Sequence, residues 1–280
     1  MTQRTWLITG VNSGFGRHMT EQLLGRGDRV AGTVRRLKTM DALKAQHGER
    51  LWLARLDMTE RAAIRPVVDA AFAALGRIDV VVSNAGYGLF GAAEEATDDQ
   101  VFHQIDTNLT GPILLTRAAL PHLRAQGGGR IIQVSTYGGQ ASFPGGTYYH
   151  ASKWGAEGFF EAVAKEVACF GVGVTIVEPG GARTGFRHGG AQLGPKLDAY
   201  DGTPAAMTRA MLQDRTRLAA GDPARMAAIM IDSADQAPAP LRIVLGADAY
   251  GVLQAVHAER LAAVEAQKDL AHSTDLPAGA

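Results

Sequence analysis

The chain carries a single cysteine, Cys169, among 280 residues. That excludes an internal disulfide and any metal cluster built on cysteine thiolates. An excess of charge is also missing, since 28 Lys and Arg stand against 28 Asp and Glu. Nucleic-acid binders carry a basic footprint, and so do proteins held electrostatically on anionic membranes; neither partner is expected here. No apolar run approaches the roughly 18 residues of a spanning helix. The opening Thr5-Trp6-Leu7-Ile8-Thr9 is too short for the apolar region of a secretory signal. A cytoplasmic setting is the expectation. No stretch rich in Pro, Gly or Ser divides the chain, and no internal repeat is visible.

Glycine is the residue present in excess, 34 in 280, against about 7% in ordinary usage. Its placement follows an alternation of short and long segments. Thr5–Thr9, Arg29–Val34, Leu51–Leu56, Val80–Ser83, Arg130–Ser135, Val172–Glu178 and Leu241–Leu245 read as strands. Several are apolar on both faces, such as Val80-Val81-Val82 and Val174-Thr175-Ile176-Val177, which suits strands of a parallel sheet covered by helices on both sides. Gly16–Arg26, Arg61–Leu75, Asp98–Arg124, Tyr148–Phe170 and Thr203–Leu218 read as helices, with Pro66 expected to start the second rather than interrupt it. The alternation predicts an α/β fold of the Rossmann type, a doubly wound parallel sheet of about seven strands.

The first strand runs into Thr9-Gly10-Val11-Asn12-Ser13-Gly14-Phe15-Gly16 and then a helix. A phosphate can rest on a helix N-terminus only where the backbone comes close to it. Gly10 allows a tight turn, Gly14 a close approach, and Gly16 packing of the helix on the strand. A glycine triplet alone is also what a strand–helix turn without ligand looks like. Here the spacing Thr-Gly-x-x-x-Gly-x-Gly resembles that of the short-chain dehydrogenase/reductase family. The likeness continues through Ser83-Asn84-Ala85-Gly86, Asn108-Leu109-Thr110-Gly111, Tyr149-His150-Ala151-Ser152-Lys153 and Pro179-Gly180 with Thr184, over roughly residues 3–250.

The resemblance implies a nicotinamide cofactor. Its binding residues would be Gly10, Asn12, Ser13, Gly14, Phe15 and Gly16 in the turn, and Asp57 with Met58 at the adenine. Asn84, Ala85, Gly86, Pro179, Gly180, Ala182 and Thr184 would lie along the rest, with Tyr149 and Lys153. Where NAD-preferring relatives carry an acid at the end of the second strand, this chain has Val34 followed by Arg35. An arginine fork suits a 2′-phosphate, so NADP(H) is the preferred cofactor, with NAD(H) still possible. No metal is implied.

Tyr149 and Lys153 stand four apart and share a helix face. The lysine and the nicotinamide charge are expected to pull the phenol down toward neutral pH. Tyr148 has no lysine at that spacing and is read as pocket wall or packing. The family's substrate-holding hydroxyl stands thirteen residues before the tyrosine, which here is Thr136, with Ser135 as the alternative. Asn108 by resemblance anchors a water that leads protons away from Lys153. Gly138 and Gly139 are read as opening room beside the catalytic hydroxyl.

These residues predict an NADP(H)-dependent carbonyl reductase or alcohol dehydrogenase acting on a bulky apolar small molecule. The alternative is a non-catalytic NAD(P)-binding regulatory protein on the same fold. The chain is expected to form one domain over 1–280, with a substrate lid at about 185–220 and a C-terminal extension at about 250–280. Phe186, Leu193, Leu197, Tyr200, Met207 and Met211 would line the lid, with Arg183, Arg187 and His188 near any anionic group. The long helices are expected to pair in a homodimer or homotetramer.

Overall fold

The computed structural model describes residues 3–214, 216 and 218–276. The side chain of His188 and the end of the tail, 277–280, lie outside the described residues. The strands are β1 (Thr5–Thr9), β2 (Arg29–Val34), β3 (Leu51–Arg55), β4 (Val80–Ser83), β5 (Gly88–Phe90), β6 (Gly129–Val134), β7 (Val172–Pro179), β8 (Ala191–Leu193) and β9 (Arg242–Leu245). Helices α1 (Gly14–Gly25), α2 (Asp41–His47), α3 (Arg61–Leu75), α4 (Asp98–Ile105), α5 (Gly111–Ala125), α6 (Thr147–Val167), α7 (Pro204–Gln213), α8 (Pro223–Asp232), α9 (Ala247–Glu265) and α10 (Lys268–His272) fall between and after them.

Seven strands form one parallel sheet in the order β3-β2-β1-β4-β6-β7-β9. This is the doubly wound sheet that the apolar runs predict. Val80, Val81 and Val82 are buried on both faces of β4. On one face Ile64, Val68 and Phe72 of α3 pack with Leu115 and Leu123 of α5 and Phe160 and Val163 of α6. On the other, Met19 and Leu23 of α1 pack with Leu43 of α2 and Met226 and Met230 of α8. The strand order reverses between β1 and β4, so their C-terminal ends open the crevice where ligands bind in such sheets.

Several boundaries differ from the sequence reading, each for a local reason. Pro66 lies inside α3, not at its start. Ala62, whose carbonyl loses its partner there, is exposed with Pro66, so water can satisfy that oxygen. The long segment beginning at Asp98 is two α-helices joined by a π turn over Asp106–Thr110. Thr97 starts it with a reciprocal cap, its hydroxyl accepting from Gln100 N while the Gln100 side chain accepts from Thr97 N. The last predicted helix ends at Gln213, short of Leu218. The presumed loop after Thr184 holds β8, which pairs in parallel with β5 from Gly88↔Ala191 to Phe90↔Leu193.

Candidate active site

The turn after β1 is built as a cradle. Gly10 and Gly14 have positive φ, 74° and 53°, which disfavours a side chain at either. A Cβ on Gly16 would collide with the Gly10 carbonyl oxygen, so only glycine lets α1 begin this close to the strand. Ser13 caps α1 without a side-chain bond, and no acid stands in its first turn. The helix therefore presents free N–H groups and its positive dipole end to the crevice. Asn84 braces the turn from β4, its amide donating to Thr9 O at 2.8 Å and Gly10 O at 3.3 Å. The Thr9 hydroxyl accepts from Asn84 N and Ala85 N at 3.0 Å each. Thr184 faces Gly14 across the crevice, 3.8 Å from where a Cβ would stand.

Farther along the rim, Asp57 takes both the N–H and hydroxyl of Thr59 at 3.0 and 2.8 Å. Burial pushes its carboxyl up, but those bonds, with Arg35 and His103 nearby, hold it below its ordinary value. Met58 is buried against Gly111. Arg35 is exposed at the end of β2 and makes no hydrogen bond or ion pair among the described residues. Asn12 and Ser13 are exposed beside the cradle, while Phe15 packs partly into the core. Ala182 bridges to Gly221, and Gly180 leaves room for the Asp248 carboxylate, which accepts from Gly181 N at 2.7 Å.

The hydroxyl residues meet where β6, β7 and α6 converge. Thr136 donates to Pro179 O at 3.2 Å, accepts from Gly138 N at 3.3 Å, and lies within hydrogen-bonding reach of the Tyr149 phenol. Ser135 turns the other way and donates to Glu157 at 2.7 Å. Lys153, 6% exposed, donates to Val134 O at 3.0 Å. The Asn108 amide accepts from Tyr87 N at 3.1 Å, donates to Tyr87 O at 2.7 Å and reaches Ser152 Oγ at 3.3 Å. The π turn under it is the local irregularity that places that amide; such insertions recur at functional sites. The rings of Phe90 and Phe186 stand 5.3 and 6.1 Å from that of Tyr149.

The sequence profile of the short chain dehydrogenases matches residues 4–192. The chain belongs to the short-chain dehydrogenase/reductase family. It is 34% identical over 247 residues to an oxidoreductase of Botryotinia fuckeliana, covering 88% of this chain and 90% of that one. An NADP-dependent 3-hydroxy acid dehydrogenase of Escherichia coli is 34% identical over 175 residues, 62% of this chain and 71% of that protein. A short-chain dehydrogenase of Streptomyces avermitilis superposes with a TM-score of 0.92 at 37% identity, covering 98% of this chain and all of the other. The chain is thus an oxidoreductase by family.

In this oxidoreductase the protein's own groups raise the Tyr149 phenol. Burial pushes its phenol up, the Thr136 hydrogen bond works against that, and Tyr137 adds to the rise. The Lys153 ammonium is turned to the Val134 carbonyl. Burial pulls Lys153 down to about 8, with Glu157 opposing. Gly138 leaves room beside Thr136, whose Cγ2 would stand 3.3 Å from a Cβ there. A Cβ on Gly138 would crowd the His150 ring, and one on Gly139 would collide with the Glu157 carboxyl.

Three residues of the region carry no sequence signal of their own. His150 donates from Nδ1 to Gly138 O at 2.7 Å and accepts Phe143 N–H at Nε2 at 3.2 Å, fixing one neutral tautomer. Burial holds its pKa down. Glu95, buried, takes Arg209 at 2.8 Å and Leu197 N at 3.0 Å, fastening the segment after Thr184 to the body. Glu157 is the third. Tyr148 donates to Ala93 O at 2.7 Å. Met207, expected to line the site, is 71% exposed.

Proposed function

We propose that the protein is an NADP(H)-dependent carbonyl reductase/alcohol dehydrogenase for a bulky apolar substrate. The observation that carries this reading is the convergence of buried Thr136 and Lys153 with the partly exposed Tyr149 at the foot of a crevice that begins at an uncapped, acid-free helix N-terminus.

The cradle fits a dinucleotide. The first turn of α1, Gly14, Phe15 and Gly16, has no side-chain cap and no acid, which leaves its amides for a pyrophosphate. Asn12 and Ser13 flank it, and Asn84 and Ala85 hold the turn in shape. Asp57 and Met58 would take the adenine; Gly86, Pro179, Gly180, Ala182 and Thr184 would border the nicotinamide. Arg35, exposed and unpaired among the described residues, is free to meet a 2′-phosphate. The cofactor supplies or accepts the hydride when bound.

In the reduction direction Tyr149 gives its proton to the substrate oxygen while Thr136 holds that oxygen by a hydrogen bond. Ser135 is already committed to Glu157, which favours Thr136 over it for this task. Lys153 supplies positive charge behind the phenol and returns a proton to it. Asn108 acts by holding Tyr87 and the π turn at the mouth of that relay. Phe90, Phe186 and Phe143 give the substrate an apolar, ring-lined wall. The segment 185–220 serves as the lid, tied down by β8 and by the Glu95–Arg209 pair.

The reading extends to the molecule's surroundings. No helix among the described residues is long and apolar enough to cross a membrane. Phe102 and Trp154, 67% and 41% exposed on α4 and α6, support assembly into a homodimer or homotetramer; we assign the protein to the cytoplasm. The test is an NADPH-oxidation screen over aldehydes, cyclic ketones, aryl ketones and ketosteroids. At least one class should be reduced by the wild type and not by Tyr149→Phe.

A further inference from the structure

Behind the hydroxyl residues lies a second polar cluster that proton transfer does not use. Glu157 stands one turn beyond Lys153 on α6, and Glu178 lies near the end of β7; they are 3% and 1% exposed. The two carboxyls meet at one nitrogen, Arg242 Nε. Arg242 of β9 reaches Glu178 at 3.2 Å, Glu157 at 3.4 Å and the half-exposed Glu161 at 2.8 Å. Ser135 donates to Glu157 at 2.7 Å, and Gln140 donates to Glu178. Both carboxyls are thus welded to residues adjoining the candidate substrate-holding turn. Ser135 precedes Thr136, Glu178 precedes Pro179 whose carbonyl Thr136 bonds, and Gln140 closes the turn.

We propose that Glu157 is a positioning residue: it shares one proton with Glu178 under the Arg242 clamp and so fixes the Ser135–Gln140 turn that aims Thr136 at Tyr149. The inference rests on the reading of Thr136 and Tyr149 given above. Two buried carboxyls held against one guanidinium nitrogen cannot both ionise without strong repulsion, and a proton they share belongs to the pair. Burial and Glu178 accordingly push Glu157 up to about 8, with Ser135 and Arg242 opposing. The facing groups are Ser135 on β6, Tyr137 and Gln140 in the turn, Glu178 on β7, and Arg242 on β9. Lys153 and Glu161 face it along α6 itself, and Asp248, at the start of α9, acts on Tyr137. Loss of the shared proton leaves two buried anions against a single guanidinium, and the turn should loosen.

Glu157→Gln tests this, because the amide gives Glu178 a permanent donor of the same shape while still accepting from Ser135. Two readouts are taken across pH 6 to about 9.5, bracketing the pair's titration: kcat for carbonyl reduction, and amide hydrogen exchange at Gly138 and Gly139, whose N–H groups bond Thr136. In the wild type, exchange at both amides should speed up relative to Glu157→Gln as pH rises through about 8, by roughly tenfold. The alkaline fall in kcat should involve one proton fewer in the variant. Glu157→Ala should lower kcat at every pH with KM for NADPH unchanged. Wild type and Glu157→Gln that share the same exchange ratio and the same kcat profile throughout would overturn the proposal. Exchange that behaves as stated in a protein that reduces no carbonyl would overturn the functional reading and the positioning role together, leaving only a structural shared proton.

Discussion

Thr136 and Ser135 are neighbours with the same functional group and opposite surroundings. Thr136 faces the Tyr149 phenol and Ser135 faces Glu157. Thr136→Ala should lower kcat about a hundredfold, the scale for removing one donor to a reacting oxygen, and cost about 1 kcal/mol of stability through its lost bonds to Pro179 O and Gly138 N. Ser135→Ala should cost about 1–3 kcal/mol because a buried carboxyl loses its donor, and should lower kcat far less than Thr136→Ala, through the loosened turn alone; chemical denaturation measures the cost and steady-state kinetics separates the two. Arg35→Asp should raise KM for NADPH roughly tenfold to a hundredfold and KM for NADH far less, as expected for loss of a charged hydrogen bond. Equal effects on both cofactors would remove Arg35 from the 2′-phosphate. The sequence points to Tyr149, Lys153 and Thr136 through the family resemblance. It conceals Glu157, because an acid on an amphipathic helix looks like a solvated face until β7 and β9 bring Glu178 and Arg242 beside it.

At the level of elements, the strands of the main sheet are legible because burial on both faces makes the central ones, β1 and β4 above all, mostly apolar, while the partly exposed edge strands β3 and β9 still keep short apolar runs. β5 and β8 are three residues each, too short for a periodic pattern, and they exist through each other. The π turn at Asn108 is hidden for another reason: helical propensity does not distinguish it from the α-helices on either side. The glycine turn is the element where sequence and geometry agree most closely, since the collision at Gly16 is with backbone and cannot be relieved by a rotamer change. Gly16→Ala should therefore cost about 1–3 kcal/mol, as overpacking does, and weaken cofactor binding about tenfold or more. Denaturant titration and NADPH fluorescence titration measure both. An alanine variant as stable as the wild type and with unchanged affinity would mean that α1 can move without consequence.

Across the whole molecule, the sheet brings a buried lysine and a buried carboxyl pair beneath one crevice. Folding depresses Lys153 from 10.5 to about 8, so the folded state binds its proton less tightly than the unfolded chain. Its contribution to stability is then present above the unfolded value and lost as pH falls from about 10.5 through about 8. Relative to Lys153→Met, the wild type should gain thermal stability as pH rises across that window. A constant difference would mean that the ammonium is well solvated. Assembly belongs to this scale too, and light scattering should show a particle larger than the 29.6 kDa chain. The central claim is that Tyr149 moves a proton at the end of a dinucleotide crevice. Its most direct test is the ratio of kcat for wild type and Tyr149→Phe on the best carbonyl substrate found, with NADPH affinity measured for both. A fall of about a hundredfold to ten-thousandfold at unchanged affinity is predicted. Equal turnover by the two proteins, with NADPH bound equally well, would contradict it.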